Sequence, residues 1–371
     1  MKKKIWIPLL VIVVLVVVWL GATWYSGKQL QGQINDGIAQ LNANGAKLDP
    51  DLQLQIKPVS YERGLFSTHA RYMLTSGAAP VDLEQDPVID VVIWHGPFPR
   101  GLLFKKFALH AELPPTGAMK SLADAWMKGK APLVIDANCS YGGHWAGTGS
   151  VPAIDVAKSD DFKLLLGGVQ MQFDGVWHTE TDYAINGSAQ FLPVSVNGQN
   201  FGSGQMTAAA DAQHVNGMLS WKTDQGESKL SGALALTRTV TRAEAMAVKK
   251  KDLVPWLRKL VKTASLNVAL SKAMIVDLGV RLDSLGNEKG GDVTAKRQQM
   301  SAQLDQSLSA DSLKPYIRIQ GDTIASDWQY ADGKFTLNGQ ENPAIQARLK
   351  QVFQMMGPED EDDPASSGEG Q

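Results

Sequence analysis

This sequence contains very little cysteine and has almost no excess of positive or negative charge. It contains one cysteine, Cys139, so the chain cannot form an internal disulfide. Its formal net charge is −2 over 371 residues, so no global field favours nucleic acid, and we expect no nucleic-acid partner. Hydrophobic residues make up 44% of the chain, which allows a sizeable core to be buried without disulfides.

The patterns that identify common enzyme sites are also missing. None of the 6 histidines belongs to an HxxxH or HExxH pair, so the sequence predicts no metal site. There is no GxSxG elbow. The glycine-rich stretch at residues 141–147 lacks the lysine of a phosphate loop and is interpreted as a flexible loop or a bulged strand. The sequence therefore predicts no cofactor and no catalytic residue.

Charge is absent from one long segment, residues 5–27, which follows three lysines at residues 2–4. A bilayer core of about 30 Å needs roughly 20 helical residues, so this apolar run predicts a membrane-spanning helix. Aromatic rings prefer the two membrane interfaces, and the predicted anchor residues are Ile5, Trp6, Trp19, Trp24 and Tyr25. Lysines before the span predict a cytoplasmic N-terminus and a periplasmic body. A cleaved signal peptide is the alternative, and only residues 21–23 resemble its cleavage site.

The hydrophobic pattern of the body changes from helical spacing to strict alternation. Residues 28–48 have helical spacing and are interpreted as a helical stalk. Apolar and polar residues then alternate in four stretches, each of which predicts a strand with one buried face: 52–57, 107–113, 169–174 and 265–270. Five dipeptides predict tight hairpin turns: Asn186-Gly187, Asn197-Gly198, Asn216-Gly217, Asp332-Gly333 and Asn338-Gly339.

Helices are predicted at four places in the body. The first covers about residues 117–130. The second begins with a capping box at Thr241 and Glu244, is broken by Pro255 and continues for one further turn. The third covers about residues 292–308. The last begins at Asn342-Pro343, and an acidic tail over residues 358–371 is expected to be disordered.

These patterns together predict an α+β fold. An N-terminal transmembrane helix is followed by a large, mainly antiparallel β-sheet periplasmic body with packed helices, over residues 49–357. The lysine-rich helices near residues 241–262 are the only candidate divider within it.

Four segments, in order along most of the chain, resemble one known family. They are residues 21–28, Tyr61-Glu62-Arg63-Gly64-Leu65-Phe66-Ser67, His95-Gly96-Pro97-Phe98-Pro99 and residues 330–339. The chain resembles the YdgA-like family, a domain of unknown function in proteobacterial envelope proteins, with a shorter middle than typical members. The resemblance implies a single-pass inner-membrane protein with a periplasmic domain, and a homodimer. It transfers no catalytic residue.

The family-motif residues have no known role, and each has a structural interpretation. They are Tyr61, Arg63, Gly64, Phe66, His95, Gly96, Pro97, Phe98 and Pro99. His95 follows a buried strand, and we expect it to bond to backbone at the strand end rather than act as a base. Arg63 is expected to pair with an acid such as Glu62 or Glu84 rather than grip an anionic headgroup. Phe66 is expected in the core.

Three functions from different classes remain after these exclusions. The leading hypothesis is a non-enzymatic envelope protein, anchored in the bacterial inner membrane by one helix, that binds a lipid or other hydrophobic ligand through a curved sheet. The second is an envelope scaffold or assembly factor that acts by protein–protein contact, for which we expect an exposed apolar patch. The third is a periplasmic hydrolase, which would need a nucleophile beside a base.

Overall fold

The computed structural model describes most of the chain between residues 28 and 341. The described residues are 28, 31–32, 34–39, 42–43, 54–76, 87–96, 98–100, 104–159, 162–179, 181–248, 253–286 and 292–341. The predicted anchor, the predicted helix from Asn342 and the acidic tail lie outside them. Within these ranges, no helix is both long enough and apolar enough to cross a bilayer.

Strands dominate the described residues, which contain 18 of them. In chain order these are β1 (Leu54–Arg63), β2 (Ser67–Ser76), β3 (Val88–His95), β4 (Phe107–Leu113), β5 (Leu133–Cys139), β6 (His144–Val151), β7 (Ile154–Ser159), β8 (Phe162–Leu166), β9 (Val169–Thr179), β10 (Asp182–Val196), β11 (Gln199–Asp211), β12 (His214–Thr223), β13 (Gly226–Leu236), β14 (Val261–Ser271), β15 (Arg318–Gln320), β16 (Thr323–Ala331), β17 (Lys334–Leu337) and β18 (Gln340–Glu341). The helices of the body are α1 (Ala118–Trp126), α2 (Arg242–Ala247), α3 (Leu253–Leu260), α4 (Lys272–Gly286) and α5 (Val293–Leu308). The predicted mainly antiparallel α+β body is confirmed.

The chain separates into two compact units. The first unit contains the described residues of 1–178 and 185–205, and the second contains those of 179–184 and 206–371. The division of the sequence into anchor, stalk, β-rich domain and tail stays a prediction.

In the first unit, each strand from β1 to β6 pairs antiparallel with the next one along the chain. Strand β6 then pairs with β9, and β8 pairs with both β7 and β10. Residues paired across antiparallel strands share one face, so the register fixes which side chains lie together. One row across the sheet consists of Thr68, Ile93, Leu109, Ala137, Gly147 and Phe173.

The predicted stalk lies against this face of the sheet. Its described residues between 28 and 43 are helical, as predicted, and we call them the N-terminal helical segment. Ile34 and Ile38 pack against four buried core residues, which are Ala70, Tyr72, Val91 and Ile93. The Asn42 side-chain amide donates to the Ile56 carbonyl oxygen at 2.9 Å, and its oxygen accepts from the Ile56 N–H at 2.8 Å. These contacts hold the segment on strands β1 to β3.

The second unit is an antiparallel sheet beside a helix pair. Its strands pair in the order β12, β13, β14, β16, and β16 also pairs with β15 and β17 on its other edge. Helices α4 and α5 meet where Gly279 faces the Met300 sulfur, since a Cβ on Gly279 would lie 2.5 Å from it. Asp277 is only 1% exposed and accepts hydrogen bonds from Arg281 at 2.6 Å and Arg297 at 2.5 Å. Two guanidinium groups thus balance one buried carboxylate between the helices.

Two of the five predicted hairpin turns are wrong. Asn186-Gly187 lies inside β10 and Asn216-Gly217 lies inside β12. Gly217 pairs with Gly232 of β13, so the pairing of long strands overrides the local preference for a turn. The other three turns are confirmed, since Asn197, Asp332 and Asn338 have φ angles of 50°, 51° and 53°.

The prediction that Pro255 breaks a helix is also wrong. Helix α2 ends at Ala247 and α3 begins at Leu253, so Pro255 lies in the first turn of α3, where its missing N–H costs little. The capping box is confirmed, because Thr241 Oγ1 accepts a hydrogen bond from the Glu244 N–H at 3.2 Å. The predicted helices near 117–130 and 292–308 correspond to α1 and α5. Helix α4 was not predicted.

Candidate functional site

The candidate site is the part of the first unit's apolar face that continues beyond the core cluster. It lies on β4, β5, β6 and β9, and we call it the apolar sheet face. Its main side chains are partly exposed: Leu109, Ile135, Ala137, Trp145, Met171 and Phe173. The alternation predicted for residues 107–113 and 169–174 therefore places their apolar residues on this one face.

Two glycines of β6 form the backbone floor under the larger side chains. A Cβ on Gly147 would lie 2.5 Å from two ring carbons of Phe173, and one on Gly149 would lie 2.9 Å from Met171 Cε. The Phe173 ring therefore lies directly on the backbone of Gly147, with its centroid 5.5 Å from that of Trp145. Glycine lets these side chains approach the strand. Of the segment 141–147, interpreted as a flexible loop or a bulged strand, residues 141–143 form a turn, whereas residues 144–147 lie in the regular strand β6.

The opposite face of the same strands is polar. Arg100 donates to Asp136 Oδ1 at 2.9 Å, and His110 Nδ1 lies 3.0 Å from the same oxygen. The Arg100 guanidinium also lies 4.3 Å from the centroid of the Trp94 ring. Burial acts to raise the pKa of Asp136, but the hydrogen bonds and charges of His110 and Arg100 together outweigh it and lower the pKa.

This polar cluster was missed from the sequence, because His110 and Asp136 meet only through the register of β4 with β5. His110 Nε2 lies 3.6 Å from Glu112, so both ring nitrogens face carboxylates. That arrangement suits an ion-pair network on a solvated face better than a general base aimed at a substrate. In the described part of the chain, no group of three or more His, Cys, Asp or Glu residues could hold a metal ion.

The two central family motifs meet at one end of the first unit. The His95 N–H donates to the Phe66 carbonyl oxygen at 3.0 Å, which joins the turn after β1 to the loop after β3. The Gly64 N–H donates to the Ser67 carbonyl oxygen at 2.8 Å and closes the first turn. Gly96 has a φ of 103°, a conformation that favours glycine. The motif residues thus fix the backbone of two adjacent connections.

The side chains of the first motif fall into different environments. Tyr61 packs against the core cluster, and burial raises its pKa against the opposing effects of Thr68 and Arg63. The expectation that Phe66 lies in the core is wrong, because it stands in the turn between β1 and β2 and is 43% exposed. Arg63 is exposed, and its pairing with an acid stays a prediction.

The side chains of the second motif surround the end of β3. His95 is 3% exposed and ends β3, with its main-chain N–H bonded across to the neighbouring turn. The expected hydrogen bond from its imidazole ring to backbone stays a prediction. Pro99 is buried and Phe98 is exposed. Pro97 lies outside the described residues.

Exposed aromatic rings gather beside these motifs. Phe104 contacts both Phe98 and Tyr141, with ring centroids 5.7 Å and 5.3 Å apart. These three side chains are 67%, 52% and 52% exposed, respectively. The Trp177 N–H donates to the Gly143 carbonyl oxygen at 3.1 Å, which places the end of β9 at the same edge. We call Phe66, Phe98, Phe104, Tyr141 and Trp177 the aromatic end.

Comparison with known proteins identifies relatives of unknown function. A family model described as "Bacterial protein of unknown function (DUF945)" matches residues 1–219 and 217–344. Protein YdgA of Escherichia coli (strain K12) is 28% identical over 168 residues, which are 43% of this chain and 33% of the relative. Uncharacterized protein YihF of the same organism is 25% identical over 204 residues, 51% of this chain and 41% of the relative. The matches thus span between a third and a half of these relatives' lengths.

Proposed function

We propose that this chain, which belongs to the DUF945 family of bacterial proteins of unknown function, is a membrane-anchored envelope protein. In this proposal it binds a lipid acyl chain on the apolar sheet face. The resemblance of the chain to the YdgA-like family is confirmed. Because the family carries no assigned ligand, support for the proposal comes from the first unit. The predicted inner-membrane anchor and periplasmic body are part of the proposal.

The observation that carries the proposal is the separation of the two faces of strands β4 to β6 and β9. One face presents Leu109, Ala137 and Phe173, while the other presents the ion-paired His110 and Asp136. A partly exposed apolar face on a protein body is a candidate surface for binding something apolar. The polar face on the other side of the sheet is suited to contact with water.

The apolar sheet face is long and wide enough to cover an acyl chain. Strand β4 from Phe107 to Leu113 extends about 20 Å at 3.4 Å per residue. One leaflet of a bilayer core is about 15 Å thick, half of the full 30 Å. The four strands give a width of about 14 Å, at about 4.8 Å between neighbours. Each methylene group buried on this face would contribute about 0.8 kcal/mol.

A matched pair of variants on adjacent residues of β5 tests the proposal. Ala137→Asp places a charge on the apolar sheet face, and Asn138→Asp places the same charge on the polar face. The full chain is reconstituted with a photoactivatable phospholipid that carries its reactive group on an acyl chain, and adducts are mapped by mass spectrometry. We expect adducts on β4, β5, β6 and β9 in the wild type and in Asn138→Asp, and their loss in Ala137→Asp.

Two outcomes would count against lipid binding on this face. Adducts confined to residues 5–27 would show that lipid contacts only the predicted anchor. Equal adduct yields on the body of both variants would show that the charge on the face does not matter. Thermal unfolding of both variants is also measured, so that a loss of adducts is interpreted only for a variant that is shown to be folded.

A second candidate function, self-association, is favoured by a separate apolar face in the second unit. Leu219 and Leu230 pair across β12 and β13, and Leu266 lies on the neighbouring strand on the same side. These leucines are 41%, 41% and 43% exposed. A patch of this kind can pair with the same patch on a second copy, as in a twofold dimer.

Sedimentation of the full chain in a membrane mimetic tests this second candidate. Leu219→Lys combined with Leu230→Lys is expected to convert a dimer to a monomer. Asn216→Lys, on the opposite face of β12, is the control and is expected to leave the dimer intact. A wild-type chain that sediments as a monomer at all concentrations would rule the dimer out.

A further inference from the structure

Three connections and one strand end converge at the aromatic end of the first unit. In an antiparallel sheet, alternate connections lie at the same end of the strands. The turn at residues 64–66, the loop after β3, the turn at residues 140–143 and the end of β9 therefore meet there. Backbone hydrogen bonds join them, including one from the Lys106 N–H to the Cys139 carbonyl oxygen at 2.7 Å.

The exposed side chains of these connections are of the kind found at membrane interfaces. Phe104 contacts both Phe98 and Tyr141, yet each of the three rings keeps half or more of its surface exposed. Trp177, at the same end, is 49% exposed. Amphipathic aromatic rings favour the headgroup layer of a bilayer, where the ring body is buried and polar atoms stay wet.

Basic side chains outnumber acidic ones at this end. Arg63, Lys105 and Lys106 lie in or beside the connections, with Glu62 next to Arg63. Arg100 lies there too and is ion-paired with Asp136. Acidic residues are absent from the described parts of the connections themselves, namely residues 64–66, 96, 98–100, 104–106 and 140–143. Cationic side chains beside exposed aromatic rings attract anionic headgroups, at about 1 kcal/mol per lysine or arginine near the surface.

The N-terminal helical segment runs toward the same end. Asn42 bonds to Ile56 near the start of β1, at the end of the sheet far from the turn at residues 64–66. Ile34 and Ile38 then pack on the core cluster, which lies between Ile56 and that turn. A continuous helix from residue 28 to residue 42 would be about 21 Å long, at 1.5 Å per residue. The run of β1 from Ile56 to Arg63 is about 23 Å long, so such a helix would bring Lys28 close to the level of the aromatic end.

The described residues of the N-terminal helical segment therefore run toward the aromatic end, in the sequence direction of the predicted anchor. We propose that the aromatic end rests in the headgroup layer of the membrane and that the apolar sheet face opens there onto the lipid. The last row of that face, Phe107, Cys139 and Trp145, lies immediately behind the aromatic rings. A lipid chain would enter along the strands without crossing water. The inference rests on the membrane anchor of the proposed function, and on no particular ligand.

Fluorescence quenching in nanodiscs tests the position of the aromatic end. The full chain carries Cys139→Ala and one new cysteine, labelled with an environment-sensitive dye and reconstituted with anionic phospholipid. Gly142→Cys places the label among the aromatic rings without removing any, because Gly142 is exposed and a Cβ there meets only Ser140 Oγ at 3.8 Å. Lys120→Cys, exposed on α1 at the opposite end of β4, is the control.

Spin-labelled lipids are expected to quench the label at residue 142 severalfold more than the label at residue 120. Quenching should be greatest for a shallow spin label, since interfacial side chains reach about 5–10 Å into the bilayer. Replacing Phe98, Phe104 and Tyr141 together with serine should abolish the difference between the two positions without changing incorporation into the discs.

The outcomes separate this inference from the proposed function. Equal quenching at residues 142 and 120, in chains that enter the discs, overturns the inference and leaves the anchor and the apolar sheet face untouched. A label that is quenched equally before and after the triple serine substitution shows that the aromatic rings do not hold this end in the membrane. Failure of the wild-type chain to enter the discs refutes the anchor, and both proposals fall with it.

Discussion

Replacing Gly147 with alanine tests whether the apolar sheet face depends on close packing of Phe173 on β6. The new Cβ would lie 2.5 Å from the Asp136 carbonyl oxygen and 2.5 Å from two ring carbons of Phe173. Overpacking of this kind costs typically about 1–3 kcal/mol. A backbone carbonyl cannot rotate out of the way as a side chain can, so we expect Gly147→Ala to lower the free energy of unfolding by about 2–3 kcal/mol.

Gly187 of β10 provides a matched control in the same unit. A Cβ there would lie 3.9 Å from the Gln172 carbonyl oxygen, an ordinary contact. Gly187→Ala therefore restricts the unfolded chain without strain in the folded one, and is expected to stabilise by about 0.4–1 kcal/mol. The same chemical change should thus have opposite signs at two strand glycines.

Calorimetry of the full chain measures both effects. A change of 1 kcal/mol shifts the midpoint of a unit of this size by about 2–4 °C, so Gly147→Ala should lower the transition of the first unit by several degrees. Adding Phe173→Leu to Gly147→Ala should recover only part of the loss, because the contact with the Asp136 carbonyl remains. A midpoint for Gly147→Ala at or above that of Gly187→Ala would refute the packing described for this face.

Three further predictions concern titratable and charged groups. Asp277→Asn should destabilise the second unit by about 3 kcal/mol, because it leaves Arg281 and Arg297 without the buried carboxylate; chemical denaturation with less than 1 kcal/mol of change would contradict this. Because the folded-state pKa of Asp136 is lowered, its contribution to stability is present above its unfolded pKa of about 4 and is lost as the pH falls through the folded value. Asp136→Asn should therefore flatten that part of the acid-unfolding curve, and an unchanged curve would refute the assignment. Burial raises the pKa of the Cys139 thiol, against the charges of Lys106 and Lys105. Maleimide should therefore label this thiol more slowly at pH 7 than an exposed thiol, and still more slowly when lipid is bound. A labelling rate equal to that of an exposed thiol would count against this prediction.

The strands that the sequence predicts best are those with one polar and one apolar face. Strand β4 matches residues 107–113, and residues 169–174 and 265–270 lie within β9 and β14. A sheet with water on one side requires hydrophobic and polar residues to alternate along each strand. This alternation can be recognised directly in the sequence.

Turns and glycines were less predictable, because their role depends on what lies across the sheet. The dipeptide Asn216-Gly217 favours a tight turn in isolation, but Gly217 pairs with Gly232 within a long hairpin. Gly147 looks like a loop residue until Phe173 is placed on it, and the sequence gives no role to Gly149 until Met171 is placed on it. Neither neighbour is visible without the register.

Helix α4 was missed although a local signal was present. Ser271 Oγ accepts a hydrogen bond from the Met274 N–H at 3.1 Å, which is a serine cap at the helix start. The cap follows an alternating strand without a break, so the change of period was not recognised. A second contact comes from far along the chain, since Asp322 accepts from the Ala273 N–H at 3.0 Å.

The candidate site could be anticipated only in outline. The sequence predicted an apolar face, but β5 and β6 were not recognised, so the face could not be assembled from its four strands. The meeting of the two family motifs depends on one backbone bond between His95 and Phe66, which no spacing reveals. The exposure of Phe66 follows from its place in a turn.

The hydrogen bonds between Asn42 and Ile56 have a practical consequence for any shortened version of this protein. A side-chain amide presents a donor and an acceptor side by side, much as a neighbouring strand does, and here it occupies both backbone groups of Ile56. Removing the residues before β1 would leave the Ile56 N–H and carbonyl oxygen able to pair with another molecule. It would also expose the hydrophobic core cluster that Ile34 and Ile38 cover. We therefore expect a truncated protein that begins near residue 54 to aggregate, whereas a truncated protein that begins at residue 28 should not aggregate.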